Sequence, residues 1–187
     1  MHYYLNASRI FTNKQMNPKT AKESLTVQTQ FVLPNDTNAL GNLFGGQLLS
    51  WMDIAASISA HRHCKAVAVT ASVNNVSFNV PIKQESIVTL QAKVSRAFKT
   101  SMEVFIDVWI EDSISGKLLK CNEAIYTFVA IDKNGAPLPV PELIPETEEE
   151  KLRYDGALRR KQLSLILANK LHPTDATELR ALFMGEK

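Results

Sequence analysis

Residues 34–64 constrain the fold of this 187-residue chain more than any other stretch. In these residues, a loop is followed by a predicted helix that begins at two consecutive glycines. Between Gln47 and His63, apolar and small side chains recur at helical spacing and few positions are polar. A helix that is apolar nearly all round is expected to be buried nearly all round. The rest of the chain is therefore predicted to surround this helix.

One acidic residue, Asp53, lies among the apolar residues of this predicted helix. It follows Gly46 by seven residues, so at 3.6 residues per turn it returns to nearly the same helix face. Because Gly45 and Gly46 have no side chains, their backbone N–H groups can approach a ligand closely. Amides that polarise a carbonyl and an acid that delivers water are the parts of a hydrolytic site. The alternative role of Asp53 is that of a partly exposed helix acid held by a neighbour.

Five segments alternate between two sets of side chains with a period of two, which is typical of β-strands. The alternation of the second segment slips at Asn74-Asn75 and continues one residue out of step, which predicts a β-bulge. One strand, one helix and then four strands with short links predict an α+β fold, in which a curved antiparallel sheet wraps a long buried helix. The predicted strands span residues 25–33, 66–78, 87–94, 102–110 and 119–131.

The composition excludes several classes of protein. The formal charge of +2 is too small to indicate a nucleic-acid partner. The two cysteines, Cys64 and Cys121, form no CxxC pair, which argues against a zinc site or a disulfide scaffold and suits a reducing, cytoplasmic location. No apolar run approaches the roughly 20 residues that cross a bilayer, so we expect no membrane insertion.

The chain divides into three parts by composition. Residues 1–20 are predicted to be a poorly ordered leader, residues 21–141 the main domain, and residues 142–187 a C-terminal helical extension. Thr147-x-x-Glu150 has the pattern of a capping box, which predicts that a helix begins there. Pro173 is expected to follow the end of that helix.

The pattern Asn38-x-x-Gly41-x-x-Phe44-Gly45-Gly46-x6-Asp53 resembles the hotdog-fold acyl-CoA thioesterases of the acyl-CoA hydrolase family. The resemblance continues through VTASVNNVSFNVPI, SRAFKTSMEV and AIYTFVAID, and it covers roughly residues 25–135. It implies a hotdog fold, in which an antiparallel sheet wraps a long central helix. It also implies a homodimer joined edge to edge through the sheets, often within a homohexamer built as a trimer of dimers, with the active site between subunits.

The resemblance further implies roles for individual residues. Asp53 corresponds to the catalytic carboxylate, and Asn38, on the facing subunit, to the residue that positions water or thioester. The backbone at Gly45 and Gly46 is expected to polarise the thioester carbonyl. Simpler roles stay open: Asn38 as a turn cap and the glycines as sites of close packing.

A second set of residues is expected to contact the substrate. Four of them form a basic hairpin that is expected to reach the CoA phosphates, although a solvated hairpin has the same composition. Thr70 and Asn75 on the bulged strand could touch the acyl group or the thioester, but core or ladder roles explain them as well. The hairpin residues are Arg96, Lys99, Thr100 and Ser101.

The expected reaction is hydrolysis of fatty acyl-CoA to a free fatty acid and CoA, with no cofactor and no metal. Asp53 would either activate water or attack the thioester to form a mixed anhydride, and the sequence does not separate these routes. A hotdog hydratase or dehydratase is one alternative, but His61 and His63 lie at the far end of the helix from Gly46. A non-catalytic acyl-CoA-binding module is the other, and it would not need Asp53.

Overall fold

The structure is a computed structural model, and it describes residues 16–78, 80–112 and 115–184. Its order of elements matches the predicted α+β arrangement, with a C-terminal helical extension. The seven strands are β1 (Lys19–Thr20), β2 (Thr26–Phe31), β3 (Val67–Phe78), β4 (Ile87–Ala97), β5 (Ser101–Glu111), β6 (Leu118–Ile131) and β7 (Leu143–Ile144). The α-helices are α1 (Gly45–Cys64), α2 (Glu148–Leu167) and α3 (Thr177–Met184).

Five of the strands form one antiparallel sheet in the order β2-β4-β5-β6-β3. Helix α1 packs against one face of this sheet, where Met52, Ala55 and Ala56 are fully buried. The facing positions of β4 and β5 are fully buried too, and the small alanines allow the helix to lie close to them. Each large apolar side chain buried in this way contributes about 1.5–3 kcal/mol. The wrapped helix is therefore the core of the fold, as predicted.

The bulge predicted in β3 is confirmed. The pairing of β3 with β6 shifts register twice, once between Thr70 and Ser72 and once between Asn74 and Ser77. An extra residue in one strand reverses which face the following side chains point to. The slip in the apolar pattern at Asn74-Asn75 is the sequence signal of the second irregularity.

The expectation that α1 is buried nearly all round is wrong on one side. Ile54 and Ile58 are 47% and 39% exposed, because the sheet of a single chain covers only part of the helix. Val67, Val69 and Val73 of the neighbouring edge strand β3 are also exposed. These five exposed residues lie on the free edge strand of the sheet and on the part of α1 beside it, and we call them the β3 edge surface. Such a surface marks an interaction site more often than a solvated one.

Strand β2 has the predicted alternation, but its buried face is the polar one. Thr26 is buried and its hydroxyl accepts a hydrogen bond of 3.1 Å from Arg62 Nη1, whereas Val27 and Phe31 are more than half exposed. Because β2 lies at the edge of the sheet beside the end of α1, polar groups of the helix end can satisfy its inward side chains.

The leader was predicted to extend to residue 20, but ordered structure begins before that boundary. Lys19 and Thr20 pair in parallel with Leu143 and Ile144. The ammonium of Lys19 donates to the carbonyl of His63 at the C-terminal end of α1, at 2.7 Å. Residues 1–15 of the predicted leader lie outside the described part of the chain.

Helix α2 of the C-terminal extension begins at the predicted capping box. The Glu150 amide donates to Thr147 Oγ1 at 3.2 Å, and the Glu150 carboxylate accepts from the Thr147 amide at 3.3 Å. Helix α2 then crosses the sheet face opposite α1. There Lys93 of β4 pairs with Glu150 at 3.0 Å, and Asp107 of β5 pairs with Arg153 at 2.8 Å.

The histidines near the end of α1 do not share one role. His63 is fully buried, and its Nε2 lies 2.8 Å from the carbonyl of Pro141. Burial lowers the pKa of His63, so this ring is neutral at neutral pH. His61 and Arg62 are exposed at the same helix end, where the positive charge of Arg62 interacts favourably with the helix dipole.

Candidate active site

The half-buried carboxylate of Asp53 is held by a hydrogen bond from the neighbouring strand. The Thr70 hydroxyl donates to Asp53 Oδ1 at 2.7 Å. Thr70 lies on β3 immediately before the first register shift. Its side chain points to the α1 face of the sheet, where it meets Asp53. The packing of β3 against α1 thus brings together two residues that are 17 positions apart in the sequence. The hydrogen bond therefore orients the Asp53 carboxylate through one of its two oxygens.

A tyrosine on β6 fixes the turn of α1 that precedes Asp53. The hydroxyl of Tyr126 donates to the carbonyl of Leu49 at 3.1 Å. Burial, followed by the negative charge of Asp53, raises the pKa of Tyr126 to about 12. The hydroxyl therefore stays protonated at neutral pH and keeps its role as a donor. Sequence reasoning missed Tyr126, and the local sequence gives no signal for its role, because Tyr126 lies in the largely apolar run of residues 125–131.

The start of α1 presents its backbone amides without a side-chain cap. The preceding residue, Phe44, has extended backbone geometry and supplies no capping hydrogen bond. The first N–H groups of a helix have no partner within the helix, and they carry the positive end of its dipole. This helix start is therefore suited to stabilise a negative oxygen.

The two glycines at this helix start serve different purposes. A Cβ atom at Gly45 would lie 3.3 Å from Cζ of Phe78, so a side chain there would have to displace the Phe78 ring and close packing favours a glycine. A Cβ at Gly46 would meet nothing within 4 Å. Packing therefore explains Gly45 but not Gly46, whose lack of a side chain keeps the helix start open.

A cavity of about 290 Å³ lies beside the helix start. Asn38 reaches it from the loop before α1, where Asn38 Oδ1 accepts hydrogen bonds from the amides of Leu40 and Asn42. This interaction bears out the simpler role of Asn38 as a turn cap. The amide nitrogen of Asn38 still offers donors to a ligand in the cavity. The wall of the cavity also includes Gly45, Leu48, Phe78, Ile82 and Asn122.

The structure brings only part of the predicted site together in one chain. Asn38 and Gly45 line the same cavity, whereas Asp53, just over two turns further along α1, is not among the residues of its wall. Asp53 instead lies with Thr70 at the margin of the β3 edge surface. Asn75 lies in β3 between the two ends of the second register shift, and its side chain is outside the described part of the structure.

The hairpin predicted to reach the CoA phosphates lies on the opposite face of the sheet. Arg96 lies opposite Glu103 in the β4–β5 ladder, and the Glu103 carboxylate forms an ion pair with Arg160 of α2. The guanidinium of Arg96 lies 4.0 Å from the ring centroid of Tyr154 and donates to the Tyr154 carbonyl at 2.9 Å. Lys99 is exposed at the tip of the hairpin. The hairpin therefore does not share a pocket with Asp53 of the same chain.

The neighbouring hairpin residues are held mainly through the backbone. The carbonyl of Thr100 accepts from the amide of Ala130 at 3.0 Å, and Ser101 begins β5.

Among the described residues, no group of three His, Cys, Asp or Glu side chains could hold a metal ion. In the same part of the chain no helix is long and apolar enough to span a membrane.

Comparisons with known proteins agree on one family. Residues 40–117 match the model of the thioesterase superfamily. The uncharacterized acyl-CoA thioester hydrolase YkhA of Bacillus subtilis is 45% identical over 157 residues, which are 80% of this chain and 91% of that protein. An apo-hexameric acyl-CoA thioesterase superposes with a TM-score of 0.78 at 37% identity, over 82% of this chain and 98% of that one.

The acyl-CoA hydrolase of Staphylococcus aureus provides the most detailed comparison. Its structure with coenzyme A superposes with a TM-score of 0.78 at 36% identity, over 82% of this chain and 94% of that one. Structures of that enzyme carry single alanine substitutions at an asparagine, an aspartate and a threonine. Those positions are 15 and 17 residues apart. Asn38, Asp53 and Thr70 have the same residue types and the same spacing.

Proposed function

Because this chain belongs to the hotdog-fold acyl-CoA thioester hydrolases of the thioesterase superfamily, we propose that Asp53 is the carboxylate with which it hydrolyses fatty acyl-CoA. The products are a free fatty acid and CoA. The observation that carries the proposal is the hydrogen bond from Thr70 to Asp53, about two turns along α1 from its uncapped start. The same three residue types at the same spacing in the Staphylococcus aureus enzyme support it.

The chemistry of a thioester matches this set of groups. The departing thiolate is a good leaving group, so the site needs a base or nucleophile and a stabiliser of the carbonyl oxygen rather than a strong acid. Asp53 supplies the base or nucleophile. The amides at Gly45 and Gly46 supply the stabiliser, which in other enzymes contributes about 2.7–4 kcal/mol per donor. General-base and mixed-anhydride routes both fit this arrangement.

A second copy of the chain completes the site in this proposal. The β3 edge surface joins its counterpart, which buries the exposed apolar residues and pairs the free edges of the two sheets. Asn38 of the partner subunit then faces Asp53 and positions water or the thioester. The hexameric assembly of related thioesterases supports an oligomer, and a trimer of such dimers is the expected form. A stable monomer with full activity would contradict this arrangement.

Thr70→Val tests the positioning of Asp53. Valine has the shape of threonine but no hydroxyl, so Asp53 Oδ1 loses its donor. We expect kcat to fall about tenfold with little change in KM, because one hydrogen bond that orients the catalytic group is lost. The matched control is Thr89→Val, which removes a hydroxyl contact of 3.2 Å with Thr29 away from the site. Equal kcat values for the two variants would contradict the role of Thr70.

The direct test of the proposed activity is release of free thiol from a panel of short, medium and long acyl-CoAs. Saturable thiol release confirms hydrolysis. Hydration of an unsaturated acyl-CoA without thiol release would identify a hydratase instead. Saturable binding with neither reaction would identify a non-catalytic acyl-CoA-binding module.

A further inference from the structure

The hydroxyl of one buried tyrosine reaches α1 at the helical turn that ends at Asp53. Tyr126 of β6 is only 1% exposed, and its hydroxyl donates to the carbonyl of Leu49 at 3.1 Å. In an α-helix, each carbonyl accepts from the amide four residues further along the chain. Because α1 spans Gly45–Cys64, the Leu49 carbonyl is the helical acceptor for the amide of Asp53. Tyr126 therefore donates to the same peptide oxygen as the backbone of Asp53.

Packing accounts for the ring of Tyr126 but not for its hydroxyl. Phe128, two residues further along the same face of β6, is fully buried, and the two ring centroids lie 6.4 Å apart. A phenylalanine therefore packs well on this face without a polar atom. Burying a hydroxyl is unfavourable unless it forms a hydrogen bond, and the Leu49 carbonyl already has a partner within the helix. Neither the core nor the helix requires this hydroxyl.

Two neighbouring strands hold Asp53 from the same side of the sheet. Thr70 of β3 donates to the carboxylate oxygen Oδ1 at 2.7 Å, whereas Tyr126 of β6 holds the peptide that accepts from the Asp53 amide. The two donors are close in the sheet, because Thr70 lies opposite Phe128 in the β3–β6 ladder, two residues from Tyr126. Asp53 is thus restrained both through its side chain and through its main chain.

The burial of Tyr126 means that its hydroxyl does not act on a substrate directly. Tyr126 is not in the wall of the cavity beside the helix start, where Asn38 and Gly45 lie. It does interact electrostatically with Asp53, whose negative charge is the second cause of the raised pKa of Tyr126, after burial. Any effect of Tyr126 on catalysis must therefore pass through Asp53.

We propose that Tyr126 is a positioning residue, which fixes the main chain of Asp53 through the Leu49 carbonyl. In this role Tyr126 sets the place of the carboxylate along α1, and Thr70 sets its orientation. A base or nucleophile must lie within reach of the atom it acts on, and a small misplacement lowers the rate strongly. The role of Tyr126 rests on the proposed function, in which Asp53 is the catalytic carboxylate.

The first test compares Tyr126→Phe with Tyr154→Phe in thiol release from an acyl-CoA. Phenylalanine keeps the ring of Tyr126 and leaves the Leu49 carbonyl paired within the helix. Tyr154 lies on α2, and its substitution keeps the ring that faces the guanidinium of Arg96. We expect Tyr126→Phe to lower kcat about fivefold with unchanged KM, because one orienting hydrogen bond is lost, and Tyr154→Phe to change neither. A lower thermal unfolding midpoint with unchanged kcat would indicate a purely structural role and overturn the inference.

The second test places Tyr126→Phe in the Asp53→Asn protein, assayed at high enzyme concentration. Without the carboxylate there is no catalytic group to position, so we expect the residual rate of Asp53→Asn to stay unchanged. A comparable loss of kcat in both proteins, with Asp53→Asn alone nearly inactive, would show that Tyr126 acts independently of Asp53. That result overturns the inference alone. Nearly full thiol release by Asp53→Asn would overturn the proposed function, and the role of Tyr126 with it.

Discussion

Asp53→Asn is expected to lower kcat for acyl-CoA hydrolysis about 10²- to 10⁴-fold. Asparagine has the shape of aspartate and keeps an oxygen that can accept from Thr70, so the local structure is preserved. It cannot take a proton from water, and it is a very poor nucleophile. Both open routes therefore fail in this variant. The measurement is thiol release at saturating acyl-CoA, with the thermal unfolding midpoint recorded on the same sample.

The matched control is Asp155→Asn. Asp155 is exposed on α2, and its substitution makes the same chemical change away from the site. We expect this control to retain the kcat of the unmodified protein and both variants to unfold at nearly the same temperature. Thiol release by Asp53→Asn at a rate close to that of Asp155→Asn would contradict the catalytic role of Asp53.

The second large effect concerns the attachment of the C-terminal extension. Arg160→Met is expected to lower the free energy of unfolding by about 3–5 kcal/mol. Glu103 is only 4% exposed, and apart from Arg160 its carboxylate accepts a hydrogen bond of 2.7 Å from Ser95. Without the guanidinium, a buried charge keeps a single neutral donor. Urea unfolding at a fixed protein concentration measures the loss.

Two further variants separate this explanation from a general weakness of α2. Lys151→Met breaks an exposed ion pair with Glu148 on the same helix, and it should cost less than about 1 kcal/mol. Adding Glu103→Gln to Arg160→Met removes the buried charge, so the double variant should recover part of the lost stability. A double variant that is less stable than Arg160→Met would show that the unpaired charge is not the cause.

The strands could be predicted closely because their side chains alternate between two faces with a period of two. Even the irregularity at Asn74 was visible as a slip in that period. The pattern could not show which of two faces is covered. In β2 the polar row that includes Thr26 faces inward, and on α1 Ile54 faces outward. Both outcomes depend on which neighbours a single chain provides, and periodicity carries no information about them.

The candidate site divides in a similar way. Asp53 and the two glycines were found because their chemistry stands out along one helix. Tyr126 was missed because its contact with Leu49 joins residues 77 positions apart. Lys161 stands in a run of three basic residues on α2, and only the packing of α2 places it against Phe98. Contacts between distant elements determine these roles, and no local sequence pattern predicts such contacts.

The central claim is that one chain supplies Asp53 and its partner supplies Asn38 to the same catalytic site. Subunit mixing tests it most directly, with Asp53→Asn and Asn38→Ala as two nearly inactive parents that are refolded together. Half of the dimers should then be mixed, and each of these should contain one complete site and one doubly defective site. The account predicts recovery of about a quarter of the unmodified activity. A mixture no more active than the mean of its two parents would contradict it.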